Sequence, residues 1–220
     1  MTILANFQDP ALWWFRKGFT EAAQRVGEPA VVFSMWNPQN APEAGIPYCP
    51  HCWVDEYSHP DPMCPYCFGT GFAGGIRKAW FANVIRTNPS QKNAVDQKMG
   101  RLAGEDAVLD LPWFMDVWEF DFAVFVNGWN VGEDGSYTPV EQEAWKIAAA
   151  PQSKFMKTGS VQYSKKIKIA TKCDIKRVNM NAPILGVRWQ SLPELDSSAF
   201  FCPTPAGDPA LPIVMASAQV

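Results

Sequence analysis

With 220 residues, 47% of them hydrophobic and 19% charged, the chain has the length of one large domain or two small ones and enough apolar material for a sizeable core. A net charge of −3 and a pI near 5.4 argue against a dedicated basic nucleic-acid binder, and no run reaches the ~20 apolar residues of a membrane-spanning helix. The amino terminus also lacks the basic-then-apolar pattern of a secretory signal, so reducing cytosol is the expected site of synthesis, where six cysteines suit metal binding better than a disulfide framework.

Ten Trp and fourteen Phe make the chain aromatic-rich, which suits both cores and subunit contacts. Charge is segregated. Residues 101–150 hold ten acids against two bases, a net of −8, and residues 151–180 hold eight bases against one acid, a net of +7. Segments of opposite sign can pair within a subunit, between the subunits of a ring, or with an outside partner.

Asp9 and Pro10 open the first helix, an acceptor at the cap followed by proline at the first turn. Leu12, Phe15, Phe19, Ala22 and Val26 recur at steps of three and four, Trp13 and Trp14 widen that stripe, and Gly27 is the stop. The stripe is expected to cover the chain's own core, with a neighbouring subunit as the second reading. Ala30 to Trp36 is a short β-prone run ended by Asn37-Pro38.

The cysteine module comes next. Cys49 and Cys52 form one Cys-Pro-x-Cys knuckle and Cys64 and Cys67 a second, with eleven residues between them. Zinc in a closed structural site takes four soft ligands at tetrahedral corners, and two CxxC turns supply them. Gly69 and Gly71 follow the second knuckle and permit the backbone conformations it needs. A thioredoxin-type redox pair occurs once, at a helix start, and four thiolates leave a catalytic metal no open position. An iron–sulfur centre is chemically compatible, but nothing else in the chain asks for electron transfer. His51, inside the first knuckle, and His59, in the linker with Asp55 and Glu56, read as surface residues.

Beyond the module, Ile76 to Ile85 reads as a strand with Asn88-Pro89-Ser90 as its turn, and Glu105 to Leu111 as another. Val117 to Val126 alternates, with Trp118, Phe120, Phe122, Val124 and Val126 on one face and Glu119 and Asp121 on the other, the pattern of a half-buried strand. Residues 128–136 are turn-rich, and Thr138-Pro139-Val140-Glu141 reads as a helix start leading to about Ala149. Lys166 to Ile169, Ile175 to Val178 and Ile184 to Trp189 are further strand candidates. From Pro193 the chain holds five prolines in 28 residues and reads as an extended arm, apolar enough at Phe200, Phe201, Leu211, Ile213 and Val214 to dock. Cys173 and Cys202 have no partner spacing. With two histidines and no complete phosphate-binding loop or nucleophile motif, the chain is not expected to be an enzyme.

The knuckles, with the Phe-Gly-Thr-Gly-Phe-Ala-Gly-Gly run over residues 68–75 and the preceding Trp/Phe-rich helix and Gly27-Glu28-Pro29, resemble the zinc-ribbon insert of head–tail connector proteins of tailed bacteriophages, especially head-closure (stopper) proteins of phages infecting actinobacteria. The resemblance implies a mainly β, α+β fold: an N-terminal helix and strand (1–45), a zinc-ribbon module (46–75), a small β-barrel (76–192) with an insertion at 128–154, and an extended C-terminal arm (193–220). The insertion and the arm depart from a minimal closure barrel, which leaves adaptor and tail-terminator roles open. It implies a structural Zn2+ on Cys49, Cys52, Cys64 and Cys67, and a homo-oligomeric ring in the virion neck, assembled in host cytoplasm. Its partners would be a portal or adaptor protein, a tail terminator or tail tube protein, and packaged DNA held without sequence preference in the bore, with no membrane. From another class, a zinc-ribbon nucleic-acid-binding protein would use Lys165, Lys166, Lys168, Lys172, Lys176 and Arg177 on phosphates.

Overall fold

The computed structural model describes residues 10–52, 59–87, 106–140, 142–158, 165–189, 192, 197–201 and 213–217. One helix, α1 (Pro10–Val26), precedes β1 (Glu28–Met35), β2 (Ile76–Thr87), β3 (Asp106–Pro112), β4 (Phe122–Phe125), β5 (Gly128–Val131), β6 (Tyr137–Val140), β7 (Glu143–Ile147), β8 (Gln152–Thr158) and β9 (Lys165–Arg177). A 3-10 turn at Pro183–Gly186 leads to β10 (Arg188–Trp189), β11 (Ser197–Phe201) and β12 (Ile213–Ser217). The fold is mainly β, as expected. The path β1-β4-β7-β9-β3-β2 closes through a β1–β2 pairing into a six-stranded barrel, and the sheet continues from β2 through β11-β12-β10-β6-β5. β1 is buried without a break from Ala30 to Met35, so its sequence does not alternate; Ser34, the polar residue of that run, accepts from the Arg77 guanidinium at 3.0 Å.

Contacts divide the chain into two compact units: Met1–Glu28, Asn83–Glu119 and Ile147–Lys176 form one, and Pro29–Ala82, Phe120–Lys146 and Arg177–Val220 the other. In the first, α1 ends where the Gly27 N–H donates to the Ala23 carbonyl at 2.8 Å; a side chain on Gly27 would stand 2.8 Å from the Val84 carbonyl oxygen. The covered face of α1 differs from the expected stripe. Ala23 is buried and Arg16, Phe19 and Thr20 are half-buried, while Phe15, Ala22 and Val26 face solvent. Arg16 explains the rotation. Its guanidinium stacks on the Trp113 ring at 3.6 Å and donates to the Lys168 carbonyl through Nη2 at 3.0 Å, a planar fork seated on an aromatic face.

β9 carries this unit. It pairs antiparallel with β3 from Asp106↔Lys176 to Pro112↔Ala170, and with β8 from Gln152↔Lys172 to Thr158↔Lys165, with an irregularity between Lys154 and Phe155. Leu109, Leu111, Cys173 and Ile175 are buried, so Cys173 is one of the core thiols. Lys154 bonds to Asp110 at 2.7 Å, and the half-buried Lys168 ammonium donates to the Met115 carbonyl at 2.9 Å.

In the second unit, Val31, Phe33, Met35, Phe122, Val124 and Trp189 belong to one apolar core. The strand expected over 117–126 is only four residues long, and the expected face is inverted at its start. Trp118 and Phe120 are 45% and 57% exposed, whereas Asp121 is 1% exposed. The Asp121 carboxylate accepts the Met35 N–H at 2.8 Å, and Phe120 adopts a left-handed φ of 75° as the chain turns Asp121 inward. A buried backbone donor at the end of β1 thus outweighs the apolar alternation.

The helix expected from Thr138 is absent: residues 137–140 pair with β5 and residues 143–147 with β4, and Ala144, Trp145 and Ile147 are buried. Sheet pairing and burial override the local capping pattern. Ile175 to Val178 is mostly the end of the long β9, and the run 184–189 is a 3-10 turn with a two-residue strand. The arm contributes β11, antiparallel to β2 from Ser197↔Phe81 to Phe200↔Lys78, and β12, parallel to β10. Cys202 and the turn at 88–90 lie outside the described residues.

Replacing Asp121 by Ala leaves the buried Met35 N–H without its acceptor. The expected loss is about 1–3 kcal/mol, read as a clear drop in the thermal unfolding midpoint against wild type.

Candidate metal centre

Residues 36–75 leave the sheet between β1 and β2 and return almost to their starting point, where the Trp36 N–H donates to the Gly75 carbonyl at 2.8 Å. Within this excursion Asn37 caps its own turn, its side-chain oxygen accepting from the N–H groups of Gln39 and Asn40. Two strand-like stretches then meet: Cys49 N–H donates to the Gly71 carbonyl at 2.8 Å, Ala73 N–H to the Pro47 carbonyl at 2.9 Å, and the Tyr48 and Phe72 rings stack at 5.4 Å. Asp61 opens the second knuckle, its side chain accepting from Met63 N–H and its carbonyl from Cys64 N–H.

The four sulfurs of Cys49, Cys52, Cys64 and Cys67 lie within 4.8 Å of one another. Cys49 Sγ is 3.9 Å from Cys64 Sγ and Cys52 Sγ is 3.4 Å from Cys67 Sγ, and all four are free thiols. Sulfurs at ~2.3 Å from a tetrahedral ion are about 3.8 Å apart, so the set has the size needed to hold one metal ion. A multi-iron cluster would interpose its own iron and sulfide and spread the ligands further.

The knuckles repeat with an offset of fifteen residues. Cys49 accepts the backbone N–H groups of His51 and Cys52, and Cys64 those of Tyr66 and Cys67. The same offset pairs His51 with Tyr66, whose rings stack at 3.7 Å and 10°. His51 is exposed, as expected, but its stacking was not read from the sequence; the equal spacing of Cys49/Cys64, His51/Tyr66 and Cys52/Cys67 is the signal that carries it. His59 is exposed, and Asp55 and Glu56 lie outside the described residues.

Electrostatics favours a cation here. Burial, above all, pushes the Cys67 thiol well up, helped by the Cys52 thiol and by charge on Cys49 and Cys64 and opposed by the Gly71 N–H. Burial likewise raises Cys49. Burial also pushes Cys64 upward, but the N–H groups of Tyr66 and Cys67 and the neighbouring thiols outweigh it, and its pKa falls below the ordinary thiol value. Four thiolates at this spacing repel one another, and a divalent ion at their centre removes that repulsion.

Two backbone positions hold the second knuckle against the core. Phe68, directly after Cys67, takes φ 53° and is buried in the apolar core with Val31, Phe122 and Trp189. Gly75 takes φ 61°, and a Cβ there would lie 2.5 Å from the Cys67 carbonyl oxygen. Only glycine allows that approach.

No protein-family model matches the chain, and none of the curated proteins is significantly similar to it.

Cys64→Ser or Cys67→Ser is expected to lower the metal content of the purified protein from one ion per chain to none and to expose residues 46–75 to protease. Elemental analysis and limited proteolysis check this. Gly75→Ala keeps all four ligands, so it should retain the ion but release it to a chelator faster than wild type.

Proposed function

We propose that the protein is a structural subunit of a phage neck: a head-closure component that forms a homo-oligomeric ring, joins the portal or adaptor side to the tail terminator or tail tube, and encloses the DNA channel. In this reading it is a virion protein and not an enzyme. The four-cysteine centre holds a structural Zn2+. The observation that carries the reading is a four-cysteine module with Cys-Pro-x-Cys knuckles inserted between two strands of a small closed barrel, with Phe68 buried in the apolar core beside Val31, Phe122 and Trp189. These are the parts that the sequence resemblance implies. Adaptor and tail-terminator rings of the same connector are variants of this reading, left open by the insertion and the arm.

The zinc has a plain mechanical role. The 27 residues from Cys49 to Gly75, rich in glycine and proline, bury too little to order themselves, and a structural zinc contributes ~10–16 kcal/mol in zinc-finger peptides at neutral pH. The ordered module is then a stiff knob for contacts.

A second support is the outer face of α1. Trp14, Phe15 and Val26 are 63%, 56% and 73% exposed, and Gly18 and Ala22 continue the same stripe. An apolar helix face turned to solvent suits a subunit contact.

Mass photometry and negative-stain imaging of the purified, zinc-loaded protein should give one closed assembly at a multiple of 24.5 kDa with a central opening. Trp14→Glu with Phe15→Glu should reduce it to folded monomers. A wild-type protein that stays monomeric at micromolar concentration and binds nucleic acid instead would favour the zinc-ribbon nucleic-acid binder over the ring.

A further inference from the structure

Residues 151–173 contain six lysines and no acid. They include β8 and most of β9, and the register of those two strands gives the charge a particular form. β3 pairs with β9 only from Ala170 onward, so residues 155–158 and 165–168 are opposed to each other and not to β3. In this two-stranded ribbon Lys157 stands directly opposite Lys166, in register with the face of Phe155 and Lys168, and Lys165 takes a position on the other face. Like charges directly opposed weaken a ribbon, and isolated ribbons are marginal to begin with.

Protection of a sheet edge explains lysines on β8, which pairs with β9 alone among the described strands. It applies equally to residues 165–168 of β9, whose other side faces no described strand, but it does not call for two lysines set directly opposite each other, as Lys157 and Lys166 are. The acid nearest in register is already engaged: Asp110 meets Lys154, and Lys168 is drawn inward to the Met115 carbonyl. Lys157, Lys165 and Lys166 thus share the far end of a hairpin whose own sequence holds no counter-charge. Phe155, 53% exposed, adds an aromatic to the same ribbon.

We propose that the β8–β9 ribbon is a contact for the phosphate backbone of duplex DNA, engaging it without sequence preference through Lys157, Lys165 and Lys166. A two-stranded ribbon fits the ~12 Å major groove, and lysines at positions on both of its faces suit the phosphates of both walls. The duplex carries one charge per ~1.7 Å, so it relieves the repulsion between the opposed Lys157 and Lys166. The inference deepens the neck reading by naming the segment that meets DNA, and to that extent it rests on that reading.

The test is fluorescence anisotropy of a labelled 30-base-pair duplex of mixed sequence with the full-length, zinc-loaded protein from 50 to 200 mM salt. Lys157→Thr with Lys166→Thr, a neutral β-prone cross-strand pair, should keep the melting temperature at or above wild type. It should weaken binding about tenfold or more at 50 mM salt and reduce the log–log salt slope by about 2. Lys157→Glu with Lys166→Glu should weaken it further. Unchanged affinity and slope in a folded Thr variant overturn the proposal, as does a wild type that binds polyglutamate but not the duplex, which would make the ribbon a dock for acidic protein. Mass photometry on the same samples separates the two claims. An intact ring with unaltered DNA binding refutes the ribbon alone, and a monomer whose DNA binding depends on the lysines supports the ribbon and refutes the ring.

Discussion

Two neighbouring residues hold the molecule's two kinds of order together. Cys67 is the last of the four sulfur donors, and Phe68, the next residue, is part of the apolar core with Val31, Val124 and Trp189. The sulfur cluster is compact and its geometry directional, whereas apolar packing is diffuse. Joining them through a single peptide bond means that the knuckle cannot shift without moving a buried ring, and the ring cannot leave without displacing one of the four sulfurs. The left-handed φ of Phe68 and the glycine at 75 are the local geometry this junction demands.

The cysteine module was legible because its chemistry is written in spacing alone. Cys49, Cys52, Cys64 and Cys67 form one cluster, and the β-prone runs of β1 and β2 lie close to the expected limits. The failures have two causes. At residues 138–149 the partners are near in sequence, and hairpin pairing with β5 and pairing with β4 override the helix-start pattern; at Asp121 the local pattern is clear, yet a distant partner, the Met35 N–H, decides. In α1 the apolar stripe is real, but the Arg16 guanidinium, stacked on Trp113 and bonded to β9, sets which face is covered. A single sequence carries no information about partners one hundred residues away, and a polar side chain that finds a good one can outweigh several apolar neighbours.

The charge segregation between 101–150 and 151–180 is partly resolved within the chain. Asp110 meets Lys154 at 2.7 Å and Glu143 meets Arg177 at 3.2 Å, while Asp121 is spent on a backbone donor. Pairs this close to the surface contribute little to stability. The remainder is asymmetric. The acids that stay exposed, such as Asp116, Glu119 and Glu133, are dispersed, whereas the lysines of β8 and β9 are concentrated on one hairpin.

The pairing of β11 with β2 sets Phe200 opposite Lys78 and Ser197 opposite Phe81, so strands more than a hundred residues apart are neighbours. Such a closure demands a large loss of chain freedom before any contact rewards it, which makes it among the slowest steps of folding. During synthesis β2 waits, its outer edge open, until the ribosome has released residues past 201. The newborn protein therefore passes through a stage in which the barrel strands exist but that edge is bare, and a cell making it at high level must shield that edge or lose chains to aggregation.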